Sequence, residues 1–288
     1  VTTHSRTNMQ RILAGSIDPV LRVELHDQDG AAADAVGTLT CSIARADGTV
    51  IATDRATADA AGTGAYTCAL TTAEALTLDV LIATWRISTV TRAVSYHRVV
   101  GGFMFTIAEL AQRARMSEYD AFTLRTERDR ITDLIEGYCG AQNPRYDIDA
   151  WYADRNAWSR VVNHTPLRSV RSVVSDGTTL ATADFDVDTL SASIRTTAPL
   201  LELCSIGYEH GLDEPWADLK DAAITAAADR LTRDRSTIGT RTRSMTNDMG
   251  VTQQFSYAGK DHPTGLDEVD AVIMKRAAEY QAARVGIA

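Results

Sequence analysis

The stretch DLIEGYCGAQNPRY, residues 133–146, decides how the second half of the chain folds. Ile131, Leu134, Ile135 and Tyr138 recur at the spacing of one helix face, and Tyr119 and Phe122 extend that face upstream. The spacing predicts a helix over 118–138. Gly137 and Gly140 predict its stop, and Pro144 bars continuation. Cys139 lies between an aromatic and a glycine at the helix C-terminus. The helix dipole is negative there and disfavours a thiolate. Gly137, Tyr138, Cys139 and Gly140 therefore predict a structural stop that packs against another element, and Cys139 is not expected to be a nucleophile.

Upstream, the pattern changes character. VLRVELHD, GTLTCSIARADGTVIAT, GAYTCALTT, VLIATWRI and AVSYHRVVGGFMF are short, alternating and rich in β-branched residues, with Asp-Gln-Asp-Gly, Ala-Asp-Gly and Gly-Thr-Gly turns between them. Short strands at this spacing predict a small sandwich of immunoglobulin-like (Ig-like) architecture over residues 1–102. Cys41 shares strand parity with Leu39 and Ile43, and Cys68 with Tyr66 and Leu70, so both thiols face a core. The pair admits a disulfide or two buried thiols, and a reducing cytoplasm favours thiols.

Gly101-Gly102 marks the shift to helical patterning. TIAE at 106–109 has the form of a capping box, and SEYD at 117–120 repeats the signal. After the helix stop come AWSRVVN, LRSVRSVVSDGTTL, DFDVD, ASIRT and LLELCSIGYEHG, a small β region. Pro215 suits the first turn of the next helix. A last helix runs from Asp267, with Val269, Ile273, Ala277 and Tyr280 on one face. The expected fold is α+β: the Ig-like β-sandwich of 1–102, then a mainly helical domain of 103–288 with a small β region.

Length and charge narrow the function. At 288 residues two domains are expected. A net charge of −9 argues against a chain whose main work is gripping DNA or an anionic membrane. No apolar run approaches the roughly 18 residues of a membrane span. The stretch VTTHSRTNMQRILAGS lacks the apolar core of a signal peptide.

Enzyme signatures are missing too. The histidines at 4, 26, 97, 164, 210 and 262 include no i, i+4 pair, and no CxxC accompanies them, so no metal site is expected. DFDVD at 184–188 departs from a calcium loop, with Thr189 and Arg195 where Gly and Glu would stand. It reads instead as a half-exposed strand. There is no phosphate loop, dinucleotide fingerprint or Gly-x-Ser-x-Gly elbow. His210 near Asp213 and Glu214 could form an acid–base pair, but no nucleophile accompanies it. No catalytic residue and no cofactor are assigned.

Residues 236–265, STIGTRTRSMTNDMGVTQQFSYAGKDHPTG, show no helical period. A structureless segment of about 30 residues inside a domain usually binds something. Arg241, Arg243 and Lys260 make it mildly basic. Val251, Gln253, Phe255 and Tyr257 alternate with Thr252, Gln254 and Ser256, which predicts a strand without an obvious partner in its own domain. It is expected to be an extended arm that adds to a sheet edge of another chain through Arg241, Arg243, Val251, Phe255 and Tyr257, or a loop or local hairpin.

ITDLIEGYCG, TPLRSVRSVVSDG, DFDVD, IGYEHGLDEPWADLKDAAITAAADRL and GLDEVDAVIMKRA, taken in this order over about residues 106–283, resemble the head-to-tail adaptor proteins of long-tailed (siphovirus-like) bacteriophages. The resemblance implies a structural virion protein of the neck, not an enzyme, made in the host bacterial cytoplasm. It implies a ring of about twelve copies joined by heterologous lateral contacts, for which the helices at 118–138 and 216–235 would supply the faces. Its implied partners are the portal protein, a stopper or tail terminator, and neighbouring copies, with double-stranded DNA passing through the channel. The 236–265 segment would be the arm that reaches the portal or a neighbour. Arg230, Arg233 and Arg235 at a helix end would line the ring interface or channel, or else complement the helix dipole. The resemblance does not extend to the first hundred residues. A phage adhesin or carbohydrate-binding protein, recognising its target through the Ig-like domain, is the alternative.

Overall fold

The computed structural model describes residues 9–27, 29–60, 63–113, 115–153, 157–232, 242–246, 252–256 and 263–285. The chain divides into two compact units, each built from separated segments: 1–103 with 143–213, and 104–142 with 214–288.

The first unit opens with eight strands. β1 (Gln10–Leu13), β8 (Val90–Val100), β7 (Asp79–Ile87), β3 (Leu39–Arg45) and β4 (Val50–Ala56) form one sheet in that order. β2 (Val20–Glu24), β6 (Ala65–Ala69) and β5 (Ala58–Ala60) form a second, ordered β2-β6-β5. β1 pairs with β8 in parallel, and the other pairings are antiparallel. Alternation produces the burial: Leu39, Cys41 and Ile43 of β3 and Leu81, Ala83 and Trp85 of β7 join Leu21, Val23 and Cys68 of the other sheet in one core. Trp85 Nε1–H donates to Ser95 Oγ at 2.8 Å, and Ser95 Oγ lies 2.7 Å from His97 Nε2, all fully buried.

Among the described residues, seven further strands belong to this unit. β9 (Arg145–Tyr152), β11 (Leu167–Ser175), β12 (Thr178–Thr179) and β15 (Leu203–His210) form a sheet ordered β12-β11-β15-β9. β10 (Ala157–Val161), β13 (Phe185–Asp188) and β14 (Ser193–Leu200) form another, ordered β10-β14-β13. Both contribute to a core of Val173, Phe185, Ile194, Cys204, Ile206 and Tyr208. Asp176 and Gly177 both take positive φ between the paired Ser175 and Thr178, as a two-residue type I′ hairpin turn requires.

These strands overturn the expectation of a mainly helical domain over 103–288. β sheet dominates the chain, and residues 143–213 join the N-terminal segment instead of the helices. Polar contacts explain the attachment. Gly101 N donates to Pro144 O at 2.8 Å, Arg98 pairs with Asp147 at 3.2 Å, and Arg171 donates to Leu78 O at 2.7 Å with its guanidinium 4.7 Å from the Tyr146 ring centre. Such contacts leave no trace in local periodicity.

The second unit holds α1 (Ile107–Ala111), α2 (Ala121–Cys139), α3 (Ala217–Thr232) and α4 (Asp267–Val285), with β16 (Thr242–Thr246) and β17 (Thr252–Ser256) paired antiparallel between α3 and α4. Thr106 and Glu109 form the expected capping box, at 2.7 Å from Thr106 N to Glu109 Oε2 and 3.2 Å from Glu109 N to Thr106 Oγ1. Asp120, not Ser117, caps α2: its Oδ1 accepts from Phe122 N and Thr123 N at 2.8 and 2.9 Å, while Met116–Glu118 makes a separate 3₁₀ turn. Ile131, Ile135 and Leu124 of α2 pack with Leu219, Ala223 and Ala227 of α3 and with Val269 and Ile273 of α4. Alanines on α3 let the neighbouring helices approach closely.

Candidate functional site: the helical body and its ribbon

The predicted helix stop is where α2, α3 and α4 are tied together. Gly140 has φ 75° and ψ 177°, a combination essentially reserved for glycine. A Cβ there would lie 2.5 Å from Cε2 of Tyr280 on α4, so the aromatic ring occupies the space that a side chain would need. Gly137, three residues earlier, has open space around it. The end of α2 also leaves carbonyls without helical partners. Gln142 supplies them: its Nε2 donates to Cys139 O and Gly140 O, each at 3.3 Å, and its Oε1 accepts from Trp216 N at 3.4 Å just before α3. Gln142 N in turn donates to Glu136 Oε1 at 2.9 Å. Sequence patterning gave no sign of this glutamine, which is almost completely buried.

Cys139 is buried at the end of α2. Its Sγ–H donates to Ile273 O at 3.4 Å, and burial, reinforced by the Asp218 charge, pushes the thiol up to about 12. Tyr138 is half-buried against the same core.

Of the three arginines expected at a ring interface or channel, Arg230 pairs with Glu127 of α2 at 2.6 Å. Burial raises the Glu127 carboxyl above its ordinary range, and Arg230 opposes that shift. Arg233 and Arg235 lie outside the described residues. Tyr119 Oη donates to Leu231 O at 2.6 Å, closing the last turn of α3.

Within the expected arm, the strand at 252–256 has a partner in its own chain. It pairs with 242–246, and Arg243 stands opposite Phe255 in the register. This is the local hairpin among the outcomes open from sequence. Neither outer edge of the ribbon carries a further strand among the described residues. Arg241, Val251 and Tyr257 lie outside them.

His210 is placed differently from the sequence expectation. In the first unit its Nε2 lies 2.7 Å from Asp147 Oδ2, and Arg145 Nε is 3.2 Å from the same oxygen. Arg98 reaches the other carboxylate oxygen, and the His164 ring stacks on His210 at 4.8 Å. Burial lowers the His210 pKa despite Asp147. Burial also opposes ionisation of Asp147, but the His210 hydrogen bond and the Arg98 and Arg145 charges outweigh it and hold the carboxyl well below its usual range. Asp213 pairs instead with Arg168 at 2.5 Å on the surface. The cluster joins β8, β9 and β15 and has the character of a structural weld. Among the described residues no three His, Cys, Asp or Glu side chains are arranged to hold a metal ion, and no helix is long and apolar enough to cross a membrane.

No protein-family model and no curated protein matches the chain. Among solved structures it is similar to a chain from the neck of an empty GTA particle with C6 symmetry, at 19% identity over 48% of this chain and 83% of that one, with a TM-score of 0.37. It is also similar to a chain from the neck of a native GTA particle with C12 symmetry, at 20% identity over 46% and 80%, with a TM-score of 0.35. Both neighbours are chains of particle necks.

Proposed function

We infer that the chain is a structural component of a phage neck, a head-to-tail adaptor that docks on the portal protein, extends the channel for double-stranded DNA and presents a surface to a stopper or tail terminator. Its copies would close a ring of about twelve through heterologous contacts. The observation that carries this reading is the β16–β17 ribbon borne between α3 and α4. An isolated two-stranded ribbon is marginal in water, and its open edges suit strand addition by a second chain. The motifs at 106–283 and the acidic charge of −9, which would not hold sliding DNA through counterion release, are consistent with it. The Ig-like description of the first module rests on strand order, with β3, β7 and β8 in one sheet and β2, β5 and β6 in the other. Its place would be on the outside of the ring.

Deletion of residues 241–257 tests the arm. The truncated chain is expected to keep its helical circular dichroism yet fail to co-sediment with DNA-filled heads that carry the portal. Undiminished co-sedimentation would remove the arm from the account.

A further inference from the structure

β9 ends its sheet, and its outer edge is open. Ala153 N donates to Glu202 O at 2.7 Å, in line with the unshifted β9–β15 register, so the odd-numbered residues of β9 hold that ladder. The N–H and C=O groups of Ile148, Ala150 and Tyr152 therefore point away from β15, to a side where no strand lies among the described residues. Their side chains stand on the outer face of the sheet, with Tyr152 81% exposed and directly opposite Leu203, itself 51% exposed. Edge strands are normally blunted by charge, proline, bulges or shortness. Elsewhere in the first unit β5 and β12 are short, β13 carries Asp186 and Asp188, and β4 and β10 pair with shifted register. The span Ile148–Tyr152 has none of these devices: its outward side chains carry no charge, and Asp149 is turned inward, accepting from Tyr208 Oη at 2.8 Å.

A strand that fits this edge exists in the same sequence. Both strands of the β16–β17 ribbon are five residues long, the length of the open span, and neither outer edge is occupied among the described residues. The ribbon register places Met245 and Phe255 on one face with Arg243 and Gln253, and only Thr, Ser and Gln on the other. The sole charge of the ribbon strands is Arg243 and that of the open span is Asp149, so joining them brings no like charges together. In the chain itself the ribbon and β9 lie in separate sheets, which leaves both available to a second copy. We propose that the ribbon of one copy adds to the open edge of β9 in the next, with its Met245–Phe255 face continuing the apolar outer face of Ile148, Tyr152 and Leu203. Each copy then gives one edge and receives one, which is the heterologous contact that a closed ring needs. The inference rests on the reading of the chain as a ring-forming neck component and names the lateral surface of that ring.

The test adds the purified full chain to DNA-filled heads that carry the portal. A chain with both Tyr152→Cys and Gln253→Cys, positions that would share one face of the joined sheet, should be linked by a short bismaleimide into a ladder longer than dimers. Peptide masses should show positions 152 and 253 joined, and either change alone should give no ladder, because the four native cysteines are buried. Ala150→Pro removes an outward N–H that the β9–β15 ladder does not use, so adding it should keep the circular dichroism and abolish the ladder. Chains that sediment with the heads yet show no link between β9 and the ribbon, or a ladder undiminished by Ala150→Pro, would overturn the contact and leave the neck reading standing. A wild-type chain that does not sediment with the heads would remove the neck reading and this contact with it. The cysteine ladder decides the matter even where the proline variant fails to fold.

Discussion

The two units solve the same packing problem with different materials. The first holds two buried histidines in polar clusters, His97 with Ser95 and Trp85, and His210 with Asp147, Arg98 and Arg145. The second brings helices together over small residues, with alanines along α3 and Gly140 under Tyr280. Acid therefore threatens the first unit through its buried histidines, while the second, which buries charged pairs as well, is the more sensitive to volume at the Gly140–Tyr280 contact.

The largest expected effect lies in the second unit. Gly140→Ala combines a backbone conformation reserved for glycine with a ring 2.5 Å from the new Cβ, and should cost about 3 kcal/mol in urea unfolding. Adding Tyr280→Ala should recover part of that loss, because it removes the clash but not the strain. No recovery would mean that the backbone alone sets the requirement.

Acid should strike the first unit. His97 is held to about 3 by burial, so between that value and its ordinary 6.5 the unfolded chain binds a proton that the folded chain does not. Its contribution is complete above about pH 6.5 and is lost as pH falls toward 3, by up to about 1.4 kcal/mol per pH unit. His210 is lowered as well and adds a loss of the same sign; Asp147, also depressed, adds another only below the ordinary aspartate value. Hydrogen exchange at pH 4.5 should show protection falling first in 90–100 and 203–210, while 121–139 holds. Uniform loss across both units would break the comparison.

Smaller effects sharpen it. Arg230→Met leaves the buried Glu127 carboxylate without its counterion and should cost about 1–2 kcal/mol, the half-exposed setting of the arginine limiting the loss. Gly137→Ala, in open space on a helix, should stabilise by about 0.5–1 kcal/mol. Opposite signs at two glycines three residues apart, read as urea midpoints, would separate a packing glycine from a merely tolerated one.

These particulars also mark what sequence can carry. The Thr106–Glu109 box, the Ala46-Asp47-Gly48 turn and the inward thiols are local chemistry, and each was visible as a short pattern. The attachment of 143–213 to the N-terminal unit was not, because it depends on pairs such as Arg98 with Asp147, 49 positions apart. Asp120 displaced Ser117 as the α2 cap because its carboxylate reaches two backbone N–H groups, a choice that SEYD leaves open. Gln142 and the Arg230–Glu127 pair are likewise contacts between elements, without periodic signature.

The most direct measurement is electron microscopy of particles from an infection with phage lacking this chain. A neck adaptor predicts DNA-packaged or leaking heads accumulating beside complete, unattached tails. Whole virions that fail only to adsorb would contradict it and assign recognition to the sandwich.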